Sequence, residues 1–422
     1  MRRNRRTRLG AGALAFVATI VATGAATATA ADGATTQLAA AAATRDVLLV
    51  GNNWDGTADV LNVANYQRLR RINVIPDRDQ RMAEINADPI KWSFFQFIRA
   101  NIGEGHDQFV DDLYASNDGT EIYVSRPSFA DVVAINVATG QIRWRRPVDG
   151  YRADHMAISP DGARLVVSAS TAKLVDVIDT ATGAKLSTFA TGDQPHENQF
   201  TKDGTKIFNA SIGSIYTALD DPWLDWTKGD RYLQIVDSRT FQVLKKIKMG
   251  EKLAAFGLKD MSNSVRPMAL SPDERFLYAQ VSFFHGFVEY DLQLDKVTRV
   301  ANLPIPPEVQ SLPRSDYILD SAHHGIAMSG DGTKLCVAGT MSNYAAIVAR
   351  DTFRATVLPL GDGARTYWAT SSADGQYCYV SVAGDDTVSV ISYATEQQVA
   401  RIPVGDHPQR ARTGKLLVSV VG

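Results

Sequence analysis

The chain has 422 residues, 45% of them apolar and 21% charged, with a formal net charge of −2 and two cysteines. That is ample for one large core, and the lack of a basic excess excludes a nucleic-acid surface. The sequence contains no G-x-S-x-G elbow, P-loop, C-x-x-C or H-E-x-x-H, which removes the chemistries those motifs carry.

Residues 1–30 read as an export signal. Arg2, Arg3, Arg5, Arg6 and Arg8 form a basic start, Leu9 to Ala26 a modest apolar stretch, and Ala28-Thr29-Ala30 a small-residue cleavage site. The paired Arg5-Arg6 leaves the twin-arginine and general secretory routes both open. An uncleaved membrane anchor is the competing reading, but the stretch is too short and polar for it. Removing those five arginines from the 44 basic residues leaves 39 against 46 acidic ones, a mature charge of −7. The expectation is a secreted, extracytoplasmic protein with no transmembrane segment after processing. Residues 31–44, rich in Ala and Thr, read as a disordered tail, and 45–422 as one domain.

That domain opens with three strands, Val47 to Gly51, Val60 to Ala64 and Arg68 to Val74. After an insertion comes the turn Asn117-Asp118-Gly119. The segment Tyr151 to Asp193 then reads as four short strands: Met156 to Ser159, Leu165 to Ala169, Leu174 to Asp179 and Lys185 to Ala190. Its turns Ser159-Pro160-Asp161-Gly162 and Ala181-Thr182-Gly183 are hairpin chemistry. The Asp-Gly turn returns at Asp203, Asp331 and Asp374, with Ser271-Pro272-Asp273-Glu274 as a copy lacking the glycine. Asp118 to Asp161 is 43 residues, Asp161 to Asp203 is 42, and Asp331 to Asp374 is 43. Four strands at this period specify a β-propeller, each repeat one blade. Blade 1 lacks an inner strand, which Pro408 to Thr413 can supply from the C-terminal end. The expected fold is therefore all-β: a seven-bladed propeller closed by N- and C-terminal strands in one blade.

Val177-Ile178-Asp179-Thr180-Ala181-Thr182-Gly183, the Ser-Pro-Asp-Gly turn and Val404-Gly405-Asp406-His407-Pro408 resemble the YVTN-repeat (YncE-like) β-propellers over nearly the whole mature chain. The resemblance implies the fold and says little about chemistry. Fold relatives span plain binding propellers, lactonase-like and lyase propellers, and the propellers of quinoprotein amine dehydrogenase-like and haem d1 oxidoreductases.

Four segments break the repeat: Asp77 to Asp107, Ser211 to Arg231, Gly250 to Asn263 and Pro304 to Ser321. The first should contain a helix from Pro89 to Ile102, with Asp88 as N-cap and Gly103 as stop. All four are connections 2→3 or 4→1 of a blade, so all should decorate one face of the disk, the place where binding is expected.

Inner strands start on that face. Counting seven residues back from each turn Asp gives Asp111, Asp154, His196, Arg266, His324 and Tyr367, to which the last strand adds His407. The next positions give Asp112, His155, Glu197, Pro267, Gly325, Trp368 and Pro408. Three readings compete for these rings. The polar groups can satisfy one another and channel water, with Asp111 and Asp154 pairing with Arg266. They can bind a small polar or anionic ligand, with Arg266 as clamp and Tyr367 and Trp368 as wall. Or His196, His324 and His407, with or without Glu197, can hold a transition metal or a haem-type cofactor, a metal-assisted reaction then using Asp154, His155 or Glu197 as base. His323 and His324 are adjacent and point apart. The turn aspartates should cap their own backbone rather than hold calcium.

Aligning blades on Asp331 and Asp374 sets Leu335 opposite Cys378, so Cys336 is one residue out of register, and the two thiols are expected to face different ways and stay unpaired. The functional expectation is a monomeric propeller binding a small molecule or protein at the insertion-bearing mouth, or a metal- or cofactor-dependent enzyme using the same ring.

Overall fold

The computed structural model describes residues 43–217 and 221–422. The signal reading for 1–30 and the tail reading for 31–44, except Ala43 and Thr44, lie outside the described residues. Seven antiparallel sheets of four strands each form the propeller. In six of them the strands follow chain order from the axis outward. In blade 1 the inner strand is Pro408–Leu417, followed by Thr44–Asn52, Thr57–Asn62 and Arg68–Asn73. The closing pair runs from Thr44↔Leu417 to Asn52↔Pro408, four residues longer than the pattern indicated.

The repeated turns do what their chemistry dictates. Asp118 accepts from the Thr120 amide at 3.0 Å and the Ser116 hydroxyl at 2.6 Å, and Asp203 and Asp331 repeat both bonds. Their carboxylates are therefore committed to local turn bonds. The following glycines take φ near +70°, and Glu274 keeps the same left-handed conformation at +53° without glycine.

The apolar core is divided among the seven blade junctions. Period-two alternation sends Val47 and Leu49 to the junction with blade 2, and Leu48 and Val50 to the junction with blade 7. Leu335 and Val337 likewise face blade 5, while Cys336 and Ala338 face blade 7.

This geometry overturns the expectation for the cysteines. Cys336 and Cys378 form a disulfide with Cα atoms 6.4 Å apart. Neighbouring blades meet front to back, so a residue on the forward face of blade 6 meets one on the rear face of blade 7. Positions one residue out of register in successive blades are thus the ones that touch.

The first insertion forms two helices, α1 (Arg78–Asn86) and α2 (Pro89–Asn101). The Asp88 side chain accepts from the amides of Ile90 and Lys91, and Pro89 takes the first helical position, as expected. Phe95 and Ile98, one turn apart, are buried on the propeller side of α2. Helix α1 was not anticipated. It is polar apart from Met82, Ala83 and Ile85 and docks by burying Ile85 and Arg81, the latter ion-paired with Asp131. A third helix, α3 (Met249–Phe256), joins blades 4 and 5 and buries Met249 and Leu253 in their junction.

The insertions meet on one face. Phe97 of α2 packs edge-on against Tyr216, Lys228 pairs with Asp320 at 2.7 Å, and Arg231 donates to Ser262. Among the described residues no helix is long and apolar enough to cross a membrane.

The disulfide closes a segment of 42 residues, so Cys378→Ser should lower unfolding stability in urea by about 3–4 kcal/mol while leaving the strand content seen by circular dichroism unchanged.

Candidate metal centre

The starts of the inner strands are irregular. Register shifts lie between Ala153 and Met156, Pro195 and Asn198, Val265 and Met268, and Thr366 and Trp368. A bulge releases consecutive side chains from strict alternation and re-aims them. Asp154-His155, His196-Glu197, Arg266-Pro267 and Tyr367 sit in these stretches.

Three of the aligned histidines converge. His155, His196 and His324 are 0–6% exposed, and their ligand atoms lie within 4.8 Å of one another. His196 Nε2 is 3.0 Å from His324 Nε2. Each ring has its other nitrogen occupied: His155 Nδ1 is 2.7 Å from Glu197 Oε2, His196 Nδ1 is 3.3 Å from Asp154 Oδ1, and His324 Nδ1 is 3.2 Å from the Tyr367 carbonyl. A neutral imidazole has one N–H. With Glu197 ionised, all three acceptors draw that proton to Nδ1 and leave three Nε2 lone pairs. The His196–His324 contact is then lone pair against lone pair, relieved by a shared cation. Donation from either Nε2 would instead turn an Nδ1 lone pair onto the Asp154 carboxylate or the Tyr367 carbonyl. Two nitrogens bound to one zinc-sized ion at about 2.0–2.1 Å stand about 3.3 Å apart at the tetrahedral angle, close to the separation seen. His155 Nε2 is buried without a partner.

Burial drives all three rings toward the neutral form. It holds His155 and His324 well below the ordinary histidine range, with Arg410 adding to the effect, and takes His196 to about 4 although Asp154 opposes it. Burial pushes Asp154 up, but Arg152 and then His196 outweigh it, and the carboxyl titrates below the usual range. Burial raises Asp111 well above that range against the pull of Arg410. Glu197 is raised to about 7 by burial, with Arg412 and Arg410 acting the other way.

The remaining aligned residues have other partners. His407 is apart from the trio: it stacks on Trp54 at 3.7 Å, whose opposite face carries His106 at 3.8 Å. His155 occupies the place in the cluster expected for His407, because the bulge brings the second ring position into the channel. Arg266 does not pair with Asp111 or Asp154. It donates to the Ser282 hydroxyl at 2.9 Å and to the Leu319 carbonyl, tying the last insertion over the ring. Tyr367 donates to Glu104 at 2.7 Å, so the first insertion covers the ring as well. His323 points away toward Tyr344 and His285, as adjacency requires. Trp368 does not wall the insertion-bearing mouth. With Glu197 and Arg412 it lines a 520 Å³ cavity that extends along the later halves of the inner strands to the tight-turn end.

Three arginines were missed. Arg152 pairs with Asp154, Arg412 makes two bonds to Asp112 at 2.9 and 2.7 Å, and Arg410 lies over Trp368 at 4.3 Å, with Arg412 also 4.6 Å from that ring. Arg410 Nε and Nη1 and Asp111 Oδ2 are buried without partners, and Asp111 Oδ2 is 3.8 Å from His155 Nε2. One signal was available: Arg410 aligns with Ala157, Gln199 and Ala269, where other blades are small or uncharged.

No family model matches the chain, and no curated protein matches it. Among solved structures the chain is similar to Kuenenia stuttgartiensis hydrazine synthase, at 17% identity and a TM-score of 0.53, over 71% of this chain and 88% of that one. At that identity the likeness is one of fold.

Six of the seven histidines are held below their ordinary range by burial, including His285 near 4 and His407 near 3. Between about pH 6.5 and 4 the unfolded chain takes up protons that the folded one refuses, so unfolding free energy should fall as pH drops through that window, with no histidine contribution above it. Urea titrations at half-unit pH steps measure the slope. A flat profile would contradict the buried neutral rings.

Proposed function

We propose that this protein is an exported metalloprotein of the propeller fold, holding one divalent transition-metal ion on Nε2 of His155, His196 and His324. The observation that carries the reading is the set of three Nδ1 hydrogen bonds, which with Glu197 ionised fixes the tautomers and turns three lone pairs inward. An all-imidazole set suits zinc, copper, iron or nickel. Three ligands with an open fourth position are the pattern of a catalytic rather than a structural ion, and such an ion brings a bound water to a pKa of about 7.

Asp154 and Glu197 are occupied in orienting His196 and His155, so neither is the base expected from the sequence. Asp111 and Arg410 have uncommitted atoms beside His155 and are the groups to meet a substrate, one through its carboxyl and one through its guanidinium. The reaction class is metal-assisted hydrolysis or elimination on a small anionic substrate. Export is supported by the basic, Ala-rich start of the chain and by the disulfide, which belongs in an oxidising compartment. The YVTN-type repeats support the same lineage of secreted propellers. A metal-free binding propeller is the second reading, favoured by the open cavities at both ends of the channel.

Protein produced with its native export signal should carry one equivalent of metal by elemental analysis. His324→Ala should abolish stoichiometric occupancy, and Asp154→Asn should weaken metal affinity about 10–100-fold. Failure to bind zinc, copper, nickel, cobalt or iron at one equivalent, or unchanged occupancy in His324→Ala, would remove the centre.

A further inference from the structure

A pocket of 510 Å³ lies on the insertion-bearing face, between α2 and the start of blades 3 and 4. Its walls are Phe94, Phe97, Ile98, Ile102 and Tyr216, and Arg152 is the one charged residue in its lining among the described residues. The volume is that of a small-molecule site, and apolar walls with a single placed charge are the usual make-up of one. Phe94 is already stacked on Tyr151 at 4.2 Å, and Phe97 meets Tyr216 edge-on at 4.8 Å. The walls are therefore held by partners on two different insertions or blades.

Arg152 is 5% exposed and uses only Nη1, which donates to Asp154 and, at 3.3 Å, to Ser170. Among the described residues neither its Nε nor its Nη2 has a hydrogen-bond partner, and Nε is fully buried. A guanidinium has five donors in a planar fork, one edge of which fits a carboxylate in two-point contact. An Nε donor left buried and unmade is destabilising, and an incoming carboxylate relieves it.

From this we infer that the pocket binds a small amphipathic anion: a carboxylate received by the open edge of Arg152, with an aromatic or branched body between Phe94, Phe97 and Tyr216. Through Arg152 and Asp154 the bound head group is three hydrogen-bonded contacts from His196. The inference extends the metal-centre reading by naming the class of molecule brought to it, and its role as a substrate rests on that reading. Affinity of the pocket itself does not require the ion.

The test is calorimetric titration of the full-length mature protein with 3-phenylpropionate, in metal-stripped and zinc-loaded form, with 3-phenylpropionamide as the uncharged control. The expected result is one-to-one binding that depends on Arg152 and Phe97. Arg152→Met should weaken it at least about tenfold, the size of a lost charge-assisted bond, and Phe97→Ala about fivefold or more. The amide should bind at least about tenfold more weakly than the acid. Phe97 is half-buried at the pocket rim, so its variant remains informative if Arg152→Met fails to fold. No binding in either metal state overturns the pocket and leaves the metal centre untouched. Binding equal for acid and amide, or unchanged in Phe97→Ala, overturns it too. Binding seen only with zinc and retained in Arg152→Met puts the anion on the ion and overturns the pocket.

Discussion

Every sheet here has two apolar faces, and each face is buried only by the next sheet in the ring. No blade is stable by itself, so the structure depends on the circle being closed. Closure is a single antiparallel pairing, residues 44–52 against 408–417. It removes the two open edges that a linear stack would present. The seven separate junction cores follow from the same constraint, since alternation along each strand delivers one set of side chains forward and the other back.

A closed ring also brings the beginnings of seven inner strands together, whatever their distance in sequence. His155 and His324 are far apart in the chain yet belong to one cluster. Here the repeat is interrupted by local bulges, which release side chains at several strand starts from strict alternation. The cost is a set of buried charges that must find partners. Most do, through Asp112–Arg412 and Arg152–Asp154. Atoms of Asp111, His155, Arg152 and Arg410, in and beside the histidine cluster, are among the buried polar atoms that do not.

The fold was legible from turns and spacing because Asp-Gly hairpins have few alternatives and the period is too regular for anything but a propeller. Helix α2 was legible because Asp88-Pro89 is a local signal. Helix α1 was not, since Arg81 and Ile85 make sense only against Asp131 and the blade they cover. The ring positions emerged from counting, and so did the two histidines His196 and His324. That His155 joins them is not legible, because counting assumes strict alternation and a bulge breaks it. The disulfide is hidden for a related reason: superimposed blades set Cys336 and Cys378 out of register, whereas in the ring the two blades stand face to back. Arg410 and Arg412 escaped because the last strand was treated as a closing piece rather than as a source of chemistry.

That last strand gives the molecule an order of events. Its residues 408–417 are synthesised after every other strand, and they carry both the latch that completes the circle and the guanidiniums of Arg410 and Arg412 that face the histidine cluster. A growing polypeptide therefore has histidines but no finished chamber around them, and the cluster is enclosed only once the circle is shut.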